Sequence, residues 1–114
     1  MKNMNKVIIC GNVVSDAVFK KVCRFSIASN TIAKDSDGEW SDYANFFDCV
    51  IFGKFGESME EYLTKGTKVC IEGTLHQNRW EDEDGNKRAK VEIYVDNIEL
   101  MAKSKEDAKK GYRR

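Results

Sequence analysis

Short runs in which apolar and polar residues alternate recur along this chain and predict strands. Val7 to Cys10 is a compact apolar run closed by a Gly-Asn pair, and Val22 to Ser29 alternates with the period of a half-buried strand. Lys68 to Trp80 and Val91 to Val95 continue the pattern, with an Asp-Gly turn between them. These runs predict the first, second, fourth and fifth strands of a sheet.

The third predicted strand, within Asn45 to Lys54, is apolar on both faces. Side chains alternate along a strand, so Phe47 and Ile51 fall on one face while Phe46 and Phe52 fall on the other. A small domain buries only one face of such a strand in its core. The second face is therefore either a subunit interface or a platform on which flat ligands stack.

The apolar period changes after Gly53 and predicts one short helix. Apolar residues then recur at spacings of three and four residues up to Leu63, and Gly66 follows as a stop signal. The resulting order of elements is that of the OB-fold, an all-β, five-stranded Greek-key barrel with its helix between the third and fourth strands. Residues 1–101 are predicted to form this domain, and residues 102–114 a short, basic, flexible tail.

Composition narrows the class of protein without selecting a function. The chain has 114 residues, with nineteen basic and nineteen acidic side chains, so it has room for one core and shows no overall basic charge. Its four cysteines lie far apart inside apolar runs, which predicts reduced, buried thiols in a cytoplasmic protein. No signal peptide or membrane-spanning run occurs in the sequence. We therefore expect no cofactor, no metal ion and no membrane attachment.

The acidic run from Glu81 to Asp84 is the one feature that could indicate an enzyme, because clustered carboxylates hold magnesium in nucleases. Metal-dependent cleavage needs carboxylates that converge from separate elements, whereas consecutive acids at a hairpin tip point apart. The sequence also has no Ser-His-Asp set, phosphate-binding glycine loop or dinucleotide motif. A solvated turn is the favoured interpretation, and the chain is predicted not to be an enzyme.

Several segments, in one order and spacing, resemble the bacterial single-stranded DNA-binding protein family. They are MNKVIICGN at residues 4–12, VIFGK at 50–54, EYLTKG at 61–66, VCIEG at 69–73, and RW at 79–80 followed by DGN at 84–86. The resemblance implies an OB-fold subunit that forms homotetramers or dimers. It also implies sequence-independent binding of single-stranded DNA in replication, recombination or repair, in the cytoplasm at the nucleoid.

The same resemblance implies roles for individual residues. Phe46, Phe52 and Trp80 match the family's stacking aromatics, and Trp40 or Tyr43 is a candidate to replace a further stacking tryptophan that the family has near Ala33. The first strand is expected to pair with its twin across a dimer axis, through Lys6, Val7, Ile8, Ile9 and Cys10. Phosphate contacts are predicted for the basic residues near these aromatics: Lys54, Arg79, Lys87, Arg88 and Lys90.

Departures from the family pattern predict weaker phosphate contact. Asp48 stands where the family usually has a basic residue, and His76 and Asn78 stand where arginine is common. The sequence also has no proline and no long Gly- and Pro-rich linker of the kind that the family carries, so it is either a shortened variant or a piece cut before its tail. Recruitment of repair enzymes through an acidic tail is therefore not expected. The alternative interpretation is an OB-fold module that assembles a primosome-like complex through its exposed aromatics.

Overall fold

The computed structural model describes residues 2–101, which form six strands and one short helix. The strands are β1 (Val7–Val13), β2 (Val18–Lys20), β3 (Val22–Lys34), β4 (Trp40–Phe52), β5 (Lys68–Glu81) and β6 (Lys87–Leu100). The helix α1 (Gly53–Met59) continues into a 3-10 turn (Glu60–Tyr62). No helix among these residues is long and apolar enough to cross a membrane. The predicted basic tail, residues 102–114, lies outside the described residues.

Five of the strands close into a barrel, which confirms the predicted fold. β1 pairs with β5, β5 with β6, β6 with β4 and β4 with β3, and β3 returns to β1. All of these pairs are antiparallel except β4 with β6, which is parallel. The helix lies between the third and fourth barrel strands, as predicted. The three-residue β2 was not predicted, and it pairs only along the edge of β3.

Two long hairpins extend beyond the barrel, and they correct the predicted strand lengths. β4 begins at Trp40 rather than at about Phe46, and β3 continues to Lys34, so the two strands pair without interruption. The residues of this ribbon are mostly exposed on both faces, so an apolar alternation was not required there. β5 and β6 form a second ribbon, whose last pair is Glu81 with Lys87.

Both ribbons end in the same kind of turn. Asp35 and Asp82 each accept, with one carboxylate oxygen, the N–H groups of the residues two and four positions later, at 2.8 to 3.0 Å. Gly38 and Gly85 follow at a φ of +82°, a conformation that side chains disfavour. The acidic run from Glu81 to Asp84 thus contains a turn-forming residue, in agreement with the solvated-turn interpretation.

The barrel interior is filled by alternate residues of the barrel strands. Cys49 and Ile51 of β4 are buried, as the predicted inner stripe requires. The buried members from the other strands are Val13, Cys23, Phe25, Ile27, Val69, Ile71, Ile93 and Val95. A β-bulge follows Glu72, and a Cβ atom at Gly73 would lie only 2.2 Å from the backbone oxygen of Tyr94. Glycine is therefore required at this bulge, which lies where the pairing of β5 with β1 ends.

The prediction of four buried thiols is half wrong. Cys23 and Cys49 are buried in the core, whereas Cys10 is exposed and Cys70 is half-buried. An apolar run suggested burial for every residue in it, but neighbouring side chains of a strand point to opposite faces. In β1 and β5 it is the cysteines that point outward.

Candidate nucleic-acid interface

Three exposed aromatic side chains lie along one face of β4. Trp40, Phe46 and Phe52 are each six residues apart, and the pairing of β4 with β3 has no bulge between them, so all three point outward. Their exposed fractions are 66%, 66% and 49%. At about 3.4 Å per residue, neighbours in this row are roughly 20 Å apart. That spacing suits separate flat groups better than one small ligand.

Trp80 extends the same surface onto the β5–β6 ribbon. Its direct partner on β6 is Arg88, and His76 is paired with Glu92, so the side chains of these four residues share one face. Glu92 is in turn the partner of Asp48 on β4. We call this surface the aromatic face: it carries the four predicted stacking residues Trp40, Phe46, Phe52 and Trp80, together with Tyr94.

Tyr94 and His76 connect the aromatics of β4 to those of β5. The Tyr94 ring meets Phe52 edge-on, with centroids 4.9 Å apart, and stacks on His76, with centroids 3.9 Å apart and planes 11° apart. Tyr94 and Arg24 flank Val50, which is 99% buried although it points outward. Tyr94 was not among the predicted site residues. In the sequence, only its outward position in the last strand indicated that Tyr94 could belong to the site. Its contacts with other rings depend on strand register, which the sequence does not show.

An ion-pair network occupies the centre of the aromatic face. Glu92 is only 2% exposed, and its carboxylate accepts a hydrogen bond from Arg24 at 2.5 Å and lies 3.7 Å from Lys90 Nζ. Lys90 also lies 3.5 Å from Asp48, which accepts the Ser26 hydroxyl at 2.6 Å. A buried carboxylate is tolerated because it is paired. The two positive charges of Arg24 and Lys90 balance the two negative charges of Glu92 and Asp48, so this part of the face is close to neutral.

The five basic residues predicted to contact phosphate do not all lie on the aromatic face. Arg88 and Lys90 do, although each is already in an ion pair. Arg79 and Lys87 are on the opposite face of the ribbon, because they alternate with Trp80 and Arg88 along the two strands. Lys54 is exposed in α1, two residues after Phe52.

Arg88 is held beside Trp80 by a fixed anion. Its Nε atom lies 2.9 Å from Oδ2 of Asp82. The backbone N–H of Asn86 and then the Arg88 guanidinium hold the pKa of Asp82 below its usual value. Asp82 is therefore charged at neutral pH, and a phosphate that bound Arg88 would compete with it.

Lys34 is a basic residue of this face that was not predicted. It is the direct partner of Trp40 across the β3–β4 ribbon, and its Nζ atom lies 5.7 Å from the centre of the Trp40 ring. This distance is within the range of cation–π contacts. In the sequence Lys34 opens a polar loop, and only the turn geometry at Gly38 brings it opposite Trp40.

The predicted interface strand has an open edge. β1 pairs with β5 from Val7 to Asn12, but with β3 only through Asn12 and Val13. Within residues 2–101, the segment from Val7 to Gly11 therefore has a strand on one side only. Ile8, in the middle of the predicted segment, is 70% exposed. Free backbone groups along such an edge are a template for pairing with another strand.

A closed OB-fold barrel whose outer face carries a row of exposed rings defines a class of proteins that bind extended polymers on the sheet surface. The family model described as the Single-strand binding protein family matches residues 4–101. This chain belongs to the single-strand binding protein family, which is a family of non-catalytic proteins.

Individual relatives agree with this assignment. Proteins named single-stranded DNA-binding protein from Borreliella burgdorferi and Treponema pallidum are 40% and 42% identical over 90% and 89% of this chain. The chain spans 72% of the first relative and 60% of the second. A solved structure of a Plasmodium falciparum SSB in complex with ssDNA has the same fold, with a TM-score of 0.80 at 23% identity. That match covers 90% of this chain and 98% of the other.

Proposed function

We propose that this chain binds single-stranded DNA without sequence preference and protects it during replication, recombination or repair, in the cytoplasm at the nucleoid. The observation that carries the proposal is the aromatic face, on which exposed rings from two ribbons share one surface. Every base has a π-face, so stacking on these rings accepts any sequence and contributes about 1–3 kcal/mol per base. Membership of the family supports the same function.

The proposed path of the strand follows β4 from Trp40 to Phe52 and crosses to Trp80 on the second ribbon. The ring of Tyr94, in contact with both Phe52 and His76, covers the crossing. Phosphate contacts fall mainly at the two ends of this path, where Lys34 and Arg88 lie beside the tryptophans, because the centre of the face is neutral. Binding is therefore expected to weaken only moderately as salt rises.

Titration with oligothymidine at low salt tests the function. Both tryptophans of the chain, Trp40 and Trp80, lie on the aromatic face, so bound bases should quench their fluorescence. The double substitution of Phe46 and Phe52 by alanine removes two stacking sites of about 1–3 kcal/mol each, which should weaken binding by about 30-fold or more. Absence of quenching by oligothymidine would refute the proposal.

Tyr43 offers a matched control for these substitutions. It lies on β4 and is 49% exposed, as Phe52 is, but it points to the opposite face of the ribbon. Tyr43→Ala should change the affinity less than twofold. If the Phe46 and Phe52 substitutions instead dissociate an oligomer and leave DNA affinity intact, the alternative of a protein assembly module is favoured.

We further propose that copies of this chain associate through the open edge of β1, as dimers or as tetramers built from them. Antiparallel pairing of the segment from Lys6 to Cys10 with its own copy would place Ile8 opposite the same residue of the second chain. Ile8→Glu would then bring two like charges together. The mass measured by light scattering should fall at least by half, and for a dimer it should reach that of the 13.0 kDa chain. Val18→Glu, at a 51% exposed apolar position on β2, is the control.

A further inference from the structure

The turn between β2 and β3 places two lysines beside the aromatic face. Lys20, the last residue of β2, is the direct partner of Val22 on β3, and Val22 is the direct partner of Phe52 on β4. Directly opposed residues of neighbouring strands project from the same face of a sheet. Lys20 therefore lies in one row with Phe52, two strands away, which is about 10 Å at the usual strand spacing. Lys21 follows it in the turn.

Lys21 has a backbone conformation that favours glycine. Its φ is +67°, and among residues 2–101 it is the one residue other than glycine with a positive φ. The cause is local, because Lys20 pairs directly with Val22 and a single residue must reverse the chain between them. A side chain is disfavoured in this conformation, whereas glycine is not. Lysine at this position therefore costs stability, and strain of this kind is concentrated at functional sites.

The charges of these two lysines are not used within the described part of the chain. Lys20 and Lys21 are exposed, and neither forms an ion pair within residues 2–101. Three other cations of the aromatic face differ in this respect, since Arg24, Arg88 and Lys90 are each paired with a carboxylate. A phosphate would have to compete with an acid for those three residues. It would not have to do so at the β2–β3 turn.

β2 is held on the barrel, away from the proposed association edge. The backbone N–H of Phe19, in the middle of β2, donates to Oε2 of Glu60 at 2.9 Å. β1 meets β3 where Val13 is opposite Ile27, and antiparallel pairing directs the open segment of β1 from there towards the ribbon end of β3. β2 pairs with the other end of β3, from Val22 to Arg24. A second copy paired along the open segment would therefore leave the turn of β2 exposed.

We propose that Lys20 and Lys21 bind the DNA phosphate that flanks a base stacked on Phe52, which deepens the DNA binding proposed above and rests on it. The sugar and phosphate of such a base lie to one side of the ring. On the β6 side, the Tyr94 ring meets Phe52 with centroids 4.9 Å apart. On the β3 side, the neighbour of Phe52 is Val22, and the two lysines lie beyond it. The sugar–phosphate backbone therefore runs on the side of β2.

This site adds a third place of phosphate contact to the two ends of the DNA path. Each contact with a single strand steepens the dependence of log K on log salt by about 0.7, so that both lysines together contribute about 1.4. Between about 50 and 200 mM salt, a slope of this size corresponds to a loss of affinity of about sevenfold. The contribution should be the same for every sequence, because phosphates carry no base identity.

Oligothymidine titrations at these two salt concentrations test the proposal. Lys20→Gln and Lys21→Gln should each reduce the slope by about 0.7, and the double variant by about 1.4. Lys20→Arg should keep the slope of the unsubstituted chain, because the charge is kept. Lys2→Gln is the control: it removes the same charge from the exposed segment before β1, whereas β2 follows the other end of that strand. An equal change in Lys2→Gln would overturn the proposal, since the effect would then come from net charge.

Lys21→Gly separates the contribution of the lysine from that of the turn. Glycine adopts this φ without strain, so the thermal midpoint of the variant should be no lower than that of the unsubstituted chain. The salt dependence should nevertheless fall as it does in Lys21→Gln, because the charge is lost. A slope equal to that of the unsubstituted chain would contradict a phosphate contact at this turn, and a lower thermal midpoint would contradict the strain at Lys21.

Acylation of lysine amines, with and without bound oligothymidine, locates the contact directly. Mass spectrometry of the modified peptides should show that DNA protects Lys20 and Lys21 and leaves Lys2 reactive. Tryptophan quenching in the unsubstituted chain reports DNA binding itself, and without it both this proposal and the proposed function fail. Quenching combined with an unchanged slope in the double variant, or with unprotected Lys20 and Lys21, would overturn this proposal alone.

Discussion

Replacing Asp48 with asparagine should strengthen DNA binding and make it more sensitive to salt. Asp48 carries a negative charge at the centre of the aromatic face, 3.5 Å from Lys90 Nζ and 2.6 Å from the Ser26 hydroxyl. Asparagine has nearly the same shape, and its side-chain oxygen can still accept the Ser26 hydrogen bond. The substitution therefore removes the charge and frees Lys90 from one of its two carboxylate partners, leaving Glu92 at 3.7 Å.

Two terms set the size of the effect. Removing a charge that repels a phosphate about 4 Å away contributes about 1 kcal/mol in water, which is roughly a fivefold gain in affinity. A freed Lys90 adds up to one phosphate contact, which steepens the dependence of log K on log salt by about 0.7. Between about 50 and 200 mM salt, that change in slope reduces the gain by about 2.6-fold. The gain should therefore be largest at low salt.

Oligothymidine titrations at these two salt concentrations measure the affinity and the slope together. Glu99→Gln is the charge-matched control, because Glu99 is an exposed acid of β6 whose partner is Cys70, away from the aromatic face. Lys90→Ala in the Asp48→Asn background should abolish the added slope, as a double-mutant cycle would show. An unchanged affinity and slope in Asp48→Asn would refute the reasoning. An equal gain in affinity in Glu99→Gln would show that the gain in Asp48→Asn comes only from the change in net charge.

Three further predictions concern single positions. Trp80→Ala should weaken oligothymidine binding by about 5- to 150-fold, measured by fluorescence anisotropy, because the stacking of one base is lost. A loss below twofold would show that the bound DNA does not stack on Trp80. Gly73→Ala should lower the free energy of unfolding by about 1–3 kcal/mol in urea, because its Cβ atom would meet the Tyr94 oxygen at 2.2 Å; wild-type stability would contradict the close approach. Burial raises the pKa of Cys49 from 9.0 to about 12, so the stability due to this neutral thiol is complete below pH 9 and is lost as pH rises towards 12, by about 1.4 kcal/mol per pH unit. Urea unfolding at pH 9 and 10.5 should show this loss in the unsubstituted chain and a smaller loss in Cys49→Ala, where burial still raises the pKa of the Cys23 thiol. Equal slopes in the two proteins would contradict the prediction.

The fold could be predicted because its signals are local. A barrel strand must present an apolar side chain to the core at every second position, and residues such as Cys49 and Ile51 carry that requirement in the sequence itself. The same alternation indicated the exposure of Phe46 and Phe52, because a small domain cannot cover both faces of a strand. Their roles in binding remain predictions.

The strand structure of the two ribbons that extend beyond the barrel could not be predicted from such a pattern. The segment from Trp40 to Asn45 is exposed and pairs only with β3, so no core imposed an apolar period on it. Its strand structure follows from the hairpin turn at Gly38 and from continuous pairing with the preceding strand. For this reason Lys34 could be recognised as a neighbour of Trp40 only in the folded chain.

Contacts between strands that are distant in the sequence were decided by tertiary structure. Arg24 and Glu92 form an ion pair, His76 stacks on Tyr94, and Cys10 lies opposite a second cysteine, although each contact joins different strands. Local sequence determines which residues alternate inward and outward. Which outward residues meet depends on strand register, and register is set by the packing of the whole barrel core.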